Sequence, residues 1–565
     1  FIDDPLFKSG KQTSNSKFPY LQTSTDCFVF YDAKYIEKGA YDRERFYYRI
    51  GLFEMDSLDN FNEKSFNLSG ELVSGGIFPN LSEKLGIMND YSFGFIADTP
   101  TEGYDFYGTK TKYTNKIALS SNGLQGSGTI KFFNSTSISK KLTFLPDSTI
   151  GLTQFINEES TIFPFVESEL ARITYQPKKQ ILQVASYLSY PLSMFHDEVN
   201  MNGLLKLDEK SITGIGTISF EDAVMTSLDF SFKQNDILSA NTSFSLINRL
   251  PNNDEYPFAL QSENFSASIS LTTRLGEFNS INTNRIKFPV NKFYCQMDKF
   301  KWYMNEETIE LSNANDVFEN INSESVVNNF FSLDEKQDSL QFNSLSAKFY
   351  LNQQTILCDK VKFVKVADAL LYPEKTTLNI RAYGVIDSLY NSTIVANYNT
   401  KFHKFINASI YIKSRNFYQG YATYPYYDRD SSLTLVSMSK ISGENLITVA
   451  NGEIPEKSQF KLSKEFDYFG KIAILSSNEG IILNGSARLK HNCDYDKSWL
   501  QFQDTVIAKN IQLPISEQPI NSIGQKMAIG FLWHDNENID SLSIYPAFIS
   551  KKLGTDDIKL FSISG

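Results

Sequence analysis

LSSNGLQGSGTIKFF, residues Leu119–Phe133, decides the fold, because the chain writes it more than once. LKLDEKSITGIGTISF at Leu205–Phe220 and LSSNEGIILNGSARL at Leu475–Leu489 follow the same scheme. Each has an apolar residue, a polar turn, an apolar stretch, a Gly-x-small step and an alternating strand. Gly126/Gly128, Gly214/Gly216 and Gly485 hold equivalent places. Glycine there fits a bulge or a close approach of two backbones, where a Cβ would clash. A strand with an inward aromatic is expected after each step: Phe144, Phe230 and Phe502. A looser fourth copy is expected over 345–381. A phosphate-cradling loop would need a strand–loop–helix context and a Lys-Ser/Thr, and neither follows these glycines.

Outward from these copies, period-two alternation recurs. Phe265, Ala267, Ile269 and Leu271 alternate with serines, and Leu228, Phe230 and Phe232 alternate with Asp229 and Ser231. Ala408, Ile410 and Ile412 do the same, as do Leu378, Ile380 and Ala382. Such segments place one side-chain row on a core and the other in solvent. Helical periodicity is nearly absent, its best candidate being 316–332. The 46 Phe and 30 Tyr against 3 Trp suit strands, where these rings fit a pleated, half-buried surface.

The expectation is an all-β protein of several stacked antiparallel β modules, of jellyroll, β-trough or solenoid-like build, elongated and with few helices. The copies are too far apart for a short-repeat solenoid. Four modules are expected, at about 1–160, 161–290, 291–416 and 417–565. No Gly/Ser-rich or Pro-rich linker separates them.

The chain has 565 residues, 41% of them hydrophobic, enough for a sizeable core. A net charge of −11 without a Lys/Arg cluster argues against nucleic-acid binding, which needs a basic face to displace counterions. No apolar run approaches the roughly 18 residues of a membrane-spanning helix. The first residue is Phe1, so the chain is expected to be processed or cut from a longer one. Cys27, Cys295, Cys358 and Cys493 show no metal-site spacing and read as buried thiols, with one long-range disulfide left open.

Catalytic signatures are missing. His196, His403, His491 and His534 sit in no zinc-binding frame. S-x-x-K occurs at Ser14–Lys17, Ser137–Lys140, Ser437–Lys440 and Ser458–Lys461 without partner motifs. Glycoside hydrolysis needs paired carboxylates, and Asp428/Asp430 and Asp494/Asp496 are candidates that nothing else marks. Asp535-Asn-Glu537-Asn-Ile-Asp540 is oxygen-rich but lacks the glycine and closing Glu of a calcium loop. No catalytic, cofactor or metal residue is assigned, and the chain reads as non-enzymatic.

LSGELVSGGIFPNL (68–81), SFGFIADTPTEGYDFYGTKT (92–111), KFPVNKFYCQMDKFKWYM (287–304), VADALLYP (366–373) and AYGVIDSLYNSTIVAN (382–397) resemble stretches of large cell-envelope proteins of Bacteroidota. The resemblance implies an exported protein of the periplasm or cell surface at the outer membrane. Triplets of the O-glycan type D-[ST]-[AILVMT], known in that phylum, agree with export. They stand at Asp56, Asp147, Asp338, Asp387, Asp504 and Asp540. Residues 338–380 are similar to the strand-turn rhythm of lipopolysaccharide-transport β-jellyroll modules, which implies a lipid-handling groove as an alternative. A carbohydrate-binding or carbohydrate-active protein is a third reading. The main expectation is a structural or interaction component of an envelope assembly, with other envelope proteins as partners, no nucleic acid, and lipid or glycan as open alternatives.

Overall fold

The computed structural model describes residues 7–8, 20–55, 66–250, 255–282, 285–313, 327–491, 498–508, 511–535 and 542–550. The protein is all-β. Among the described residues strands make up 60% and no helix reaches seven residues. Of the helical candidate at 316–332, residues 316–326 lie outside the described residues and Phe330–Ser332 is a strand. The chain forms two compact units. One is residues 1–247 with 262–282 and 303–305; the other is 248–261 with 283–302 and 306–565.

In the first unit the chain runs as an antiparallel meander. Lys112–Ser120, Gly123–Phe132, Ser135–Leu145, Ser148–Asn157 and Val166–Gln176 each pair with the next. Val199–Leu207, Ile212–Phe220, Ala223–Phe232 and Asp236–Ile247 continue in the same way.

Burial explains how these long strands enclose a core. A straight strand would bury every second residue throughout. Ser135–Leu145 buries Ser135, Ser137 and Ser139, then exposes both Lys140 and Lys141, then buries Leu142 and Phe144. Ala223–Phe232 changes phase across Leu228 and Asp229, and Asp236–Ile247 across Ala240 and Asn241. The pairing register slips at the same level, between Ile138 and Lys141, and at Gly126/Gly128 and Gly214/Gly216. These slips are β-bulges, which bend a strand. Aligned across neighbouring strands, they crease the sheet.

The glycines sit on that crease for a steric reason. A Cβ on Gly126 would lie 2.7 Å from the Phe144 ring, and one on Gly214 would lie 2.8 Å from both Met201 and Phe232. Residues from above and below the crease therefore converge where the glycines leave room. Directly on the crease, Asn115 pairs with Gly128, Gly203 with Gly216 and Gly470 with Gly485. One member of each pair has positive φ: Asn115 at 95°, Gly216 at 146° and Gly470 at 134°. A Cβ on Gly128, Gly216 or Gly485 would collide with the carbonyl oxygen of Thr114, Asn202 or Phe469 in the facing strand. The close glycine-bearing pair is thus used three times, with a register slip beside it in the first two copies and an unbroken register on both sides of Ile481–Leu489 in the third. Phe144, Phe230 and Phe502 are all buried, as expected.

Two expectations change. Leu228 is 79% exposed, because the bulge turns it away from the row of Phe230 and Phe232. The looser copy at 345–381 contains no creased strand. It lies in the second unit, where short strands form two separate ladders. One ladder runs through Ile286–Phe288, Phe293–Cys295, Phe330–Ser332, Gln341–Phe342, Val364–Val366 and Ala369–Tyr372. The other runs through Thr308–Ser312, Ser346–Tyr350, Thr355–Asp359 and Leu378–Ile380. The chain crosses between ladders at turns. The ladders pack face to face, with Phe288 and Phe349 rings 5.2 Å apart. Asn291 ties them, its Nδ2 donating to Gln354 O at 2.7 Å and Ile380 O at 3.2 Å. Beyond Leu389–Ala396, long strands resume through His403–Ser414, Phe417–Tyr427, Leu433–Glu444, Ile447–Ile454, Phe466–Leu475, Ile481–Leu489 and Leu500–Val506.

Both interiors are filled. Tyr113, Phe144, Tyr175 and Phe230 in one unit, and Phe349, Ile356, Tyr418 and Ile474 in the other, are sealed from solvent. Each such side chain contributes about 1.5–3 kcal/mol by burial.

Candidate functional site

The crease also shapes the outer surface of the first unit. At each bulge the outward rows of a strand diverge, and beside the adjacent slips between Gly123–Phe132, Ser135–Leu145, Ser148–Asn157 and Val166–Gln176, side chains of these four strands and of Lys112–Ser120 line a cleft of about 1040 Å³. Ser139 holds the bulge in place. Its Oγ donates to Leu152 O at 2.6 Å and accepts from the Lys141 N–H at 3.1 Å, so the loosened backbone keeps its partners. That frees Lys140 and Lys141 to face outward together.

The lining mixes three chemistries. Ile138, Ile150 and Leu152 form an exposed apolar strip. Ser127, Thr129, Thr143 and Thr174 supply hydroxyls, and Asn115 and Gln154 supply amides. Thr153, at the bulge, keeps a buried Oγ1 without a hydrogen-bond partner. Lys140, Lys141 and Arg172 face a single carboxylate, Glu169. Among the described residues Lys140 and Lys141 make no ion pair. Arg172 stacks over the Tyr187 ring at 5.4 Å, which leaves its N–H fork available.

The second unit has a different outer face. On Phe417–Tyr427 the buried residues are Tyr418, Ala422 and Tyr426, so Tyr421, Thr423, Pro425 and Tyr427 point outward. Pro425 and Tyr427 stand opposite Leu435 and Leu433. Tyr421, Tyr427, Leu433 and Leu435 are each more than half exposed. Directly opposed residues share a face, so these form one apolar patch on a paired sheet.

The residues weighed for catalysis do not assemble. His196 is exposed, 3.2 Å from Glu159 and stacked on Phe165. His403 is buried. Its Nε2 donates to Asn478 O at 2.7 Å, which leaves Nδ1 to accept from Tyr424 Oη at 3.2 Å. Burial holds this imidazole below its usual range, against the opposing pull of the Asn478 carbonyl. His491 lies two residues beyond the end of Ile481–Leu489, and His534 lies on Met527–Asp535. Ser137 points into the core while Lys140 faces solvent, and Ser458 caps its own turn on Pro455 O. Asp428 caps a loop, accepting from the N–H groups of Asp430 and Ser432. Cys493, Ser14–Lys17, Asp494/Asp496 and residues 536–540 of the oxygen-rich loop lie outside the described residues.

Cys27, Cys295 and Cys358 are buried, and burial pushes the Cys295 and Cys358 thiols well above their usual range. Of the D-[ST]-[AILVMT] triplets, Ser339 and Thr505 expose their hydroxyl residues, while Asp387 is clamped by Arg381, which holds its carboxyl below the usual range. The triplets at Asp56 and Asp540 lie outside the described residues.

The sequence does carry a signal for the cleft that the search for chemistry passed over. Lys140-Lys141 breaks the alternation of Ser135–Leu145, and a doubled outward pair inside an alternating strand marks a bulge. No helix is long and apolar enough to cross a membrane among the described residues, which says nothing of spanning by strands. Compared with known proteins, the chain matches no family model, no curated relative and no solved structure.

Proposed function

We propose that this chain is a non-enzymatic structural and interaction component of a bacterial cell-envelope assembly, exported and associated with the outer membrane. The observation that carries the reading is the outward patch of Tyr421, Pro425, Tyr427, Leu433 and Leu435 on a sheet whose inner face is already packed. Apolar side chains left contiguous on a finished surface mark a place for another protein. Aromatic residues in such a patch are suited to interface cores. The filled interiors favour this role over a lipid-conducting groove, which would need an inward apolar row open to solvent. The resemblance of several segments to envelope proteins of Bacteroidota supports the location.

The test is affinity purification of the tagged chain from detergent-solubilised membranes of its native cells, followed by crosslink mapping. Envelope proteins crosslinked at Phe417–Glu444 are expected, and Tyr421→Ser/Leu433→Ser/Leu435→Ser should release them while leaving the chain folded. Recovery of the unaltered chain only as a free monomer would sink the proposal.

A further inference from the structure

We infer that the outer cleft at the first crease is a binding site for an acidic saccharide: a chain of polyol rings bearing carboxylate or phosphate groups. This inference does not depend on the assembly reading, which concerns a different face.

The argument begins with charge. The protein carries a net charge of −11, yet this cleft sets Lys140, Lys141 and Arg172 against Glu169 alone. Two lysines made adjacent by a bulge repel each other, and the fold gives neither a carboxylate among the described residues. An anion on the ligand would relieve that repulsion. The hydroxyls of Ser127, Thr129, Thr143 and Thr174 both donate and accept, as do the amides of Asn115 and Gln154. Groups of that kind match sugar hydroxyls, which also do both. The strip of Ile138, Ile150 and Leu152 offers a surface for the C–H faces of the rings.

The geometry speaks against an acidic peptide. Peptides recognised by strand addition need an open sheet edge, and those recognised as helices need a continuous apolar groove. This cleft lies on the face of strands paired on both sides, and its apolar strip is interrupted by hydroxyls and charges.

The repeat supplies an internal control. Gly126 stands opposite Leu142 and Gly214 stands opposite Phe230, so Leu228-Asp229 in the second copy occupies the place of Lys140-Lys141 in the first. The same bulge carries no cation there. Ser227 repeats the role of Ser139, its Oγ donating to Asn241 O at 2.7 Å. The crease itself therefore does not require the lysines.

That equivalence gives a variant with a built-in precedent for folding: Lys140→Leu/Lys141→Asp, the pair the protein already tolerates at its second crease. Calorimetric titration would use tetragalacturonate, a phosphorylated mannose oligosaccharide, neutral galactotetraose, inorganic phosphate and poly-glutamate. Binding of one or both acidic saccharides is expected, weakened roughly tenfold at about 0.5 M salt. The double variant should lose at least about tenfold in affinity, a difference of about 1.4 kcal/mol, with unaltered thermal unfolding. Glu169→Gln should tighten binding roughly twofold. Silence toward both acidic saccharides would overturn the inference. So would equal binding of neutral galactotetraose, of phosphate alone or of poly-glutamate, or an unaffected double variant.

Discussion

Residues 112–247 and 286–380 enclose the same kind of two-sided core by opposite means. In the first, all strands but Ile181–Ser186 and Leu192–Met194 are nine to twelve residues long, run across a crease and bend at bulges such as Ser139–Lys141. In the second, the chain is cut into strands of two to five residues and changes ladder at turns. The difference shows in where side chains are forbidden. The crease demands glycine, because a facing carbonyl occupies the space of a Cβ. The turns of the second region take positive φ at Gln354, Lys360, Ala367 and Thr376, none of them glycine, since a single turn residue adopts that conformation at modest cost. A bend within a strand is therefore set by backbone proximity, and a bend between strands by local conformation alone.

The largest effect should follow from filling the crease. Gly216→Val adds a branched side chain where φ is +146° and where the Asn202 carbonyl already stands. Gly485→Val meets the Phe469 carbonyl in the same way. Each is expected to cost about 3–4 kcal/mol in urea unfolding, by collision with the facing carbonyl in both and by added backbone strain at Gly216. Gly51→Val, with open space around it, should stay within about 0.5 kcal/mol. If Gly216→Val were as mild as Gly51→Val, the crease would not be the sterically closed device described above.

A smaller effect tests whether the first and third copies are equivalent in detail. Tyr113 and Tyr468 stand two residues before the crease positions Asn115 and Gly470. Tyr113 Oη donates to Lys116 O and Tyr468 Oη to Lys471 O, each at 2.6 Å. Both bonds reach the carbonyl of a residue just past the crease. Tyr113→Phe and Tyr468→Phe should each lower stability by about 1 kcal/mol, the net worth of a hydrogen bond in a buried setting. The equality of the two losses is the point. A loss at one position and none at the other would mean that the copies share a backbone but not its hydrogen bonding.

How much of this was legible follows from what alternation records. Glycine spacing marked the crease, and the aromatic after each step marked the core, because both follow from residue type: a Cβ would meet a facing carbonyl, and a phenyl ring gains most from burial. Leu228 was misplaced because alternation was carried through a bulge, which inverts the phase of everything beyond it. The copy at 345–381 misled because a short strand, a turn and another short strand spell the same pattern as a creased hairpin. The cleft was hidden for a related reason. Lys140-Lys141 looks like any solvated pair until the register shows two residues facing one. Nothing in a single strand tells that its neighbours bulge at the same level, and the cleft exists only because they do.

The smallest effect belongs to the turns of the second region. Glu374 and Lys375 are exposed between Ala369–Tyr372 and Leu378–Ile380, in a turn closed by the Thr376 N–H donating to Pro373 O at 3.3 Å. The Thr376 carbonyl in turn accepts from the Val361 N–H at 2.7 Å, so the anchor lies after the tip rather than in it. A Gly-Gly insertion between Glu374 and Lys375 lengthens the loop without shifting either ladder. Closing a somewhat longer loop costs about 0.6 kcal/mol per doubling of its length, so the loss in urea unfolding should stay below about 1 kcal/mol. Cooperativity should also be unchanged, because each ladder keeps its own register. A loss as large as that of Gly216→Val would show that the turn carries a long-range constraint. The distinction between bends made by proximity and bends made by local conformation would then fail at its weaker member, where only conformation is invoked.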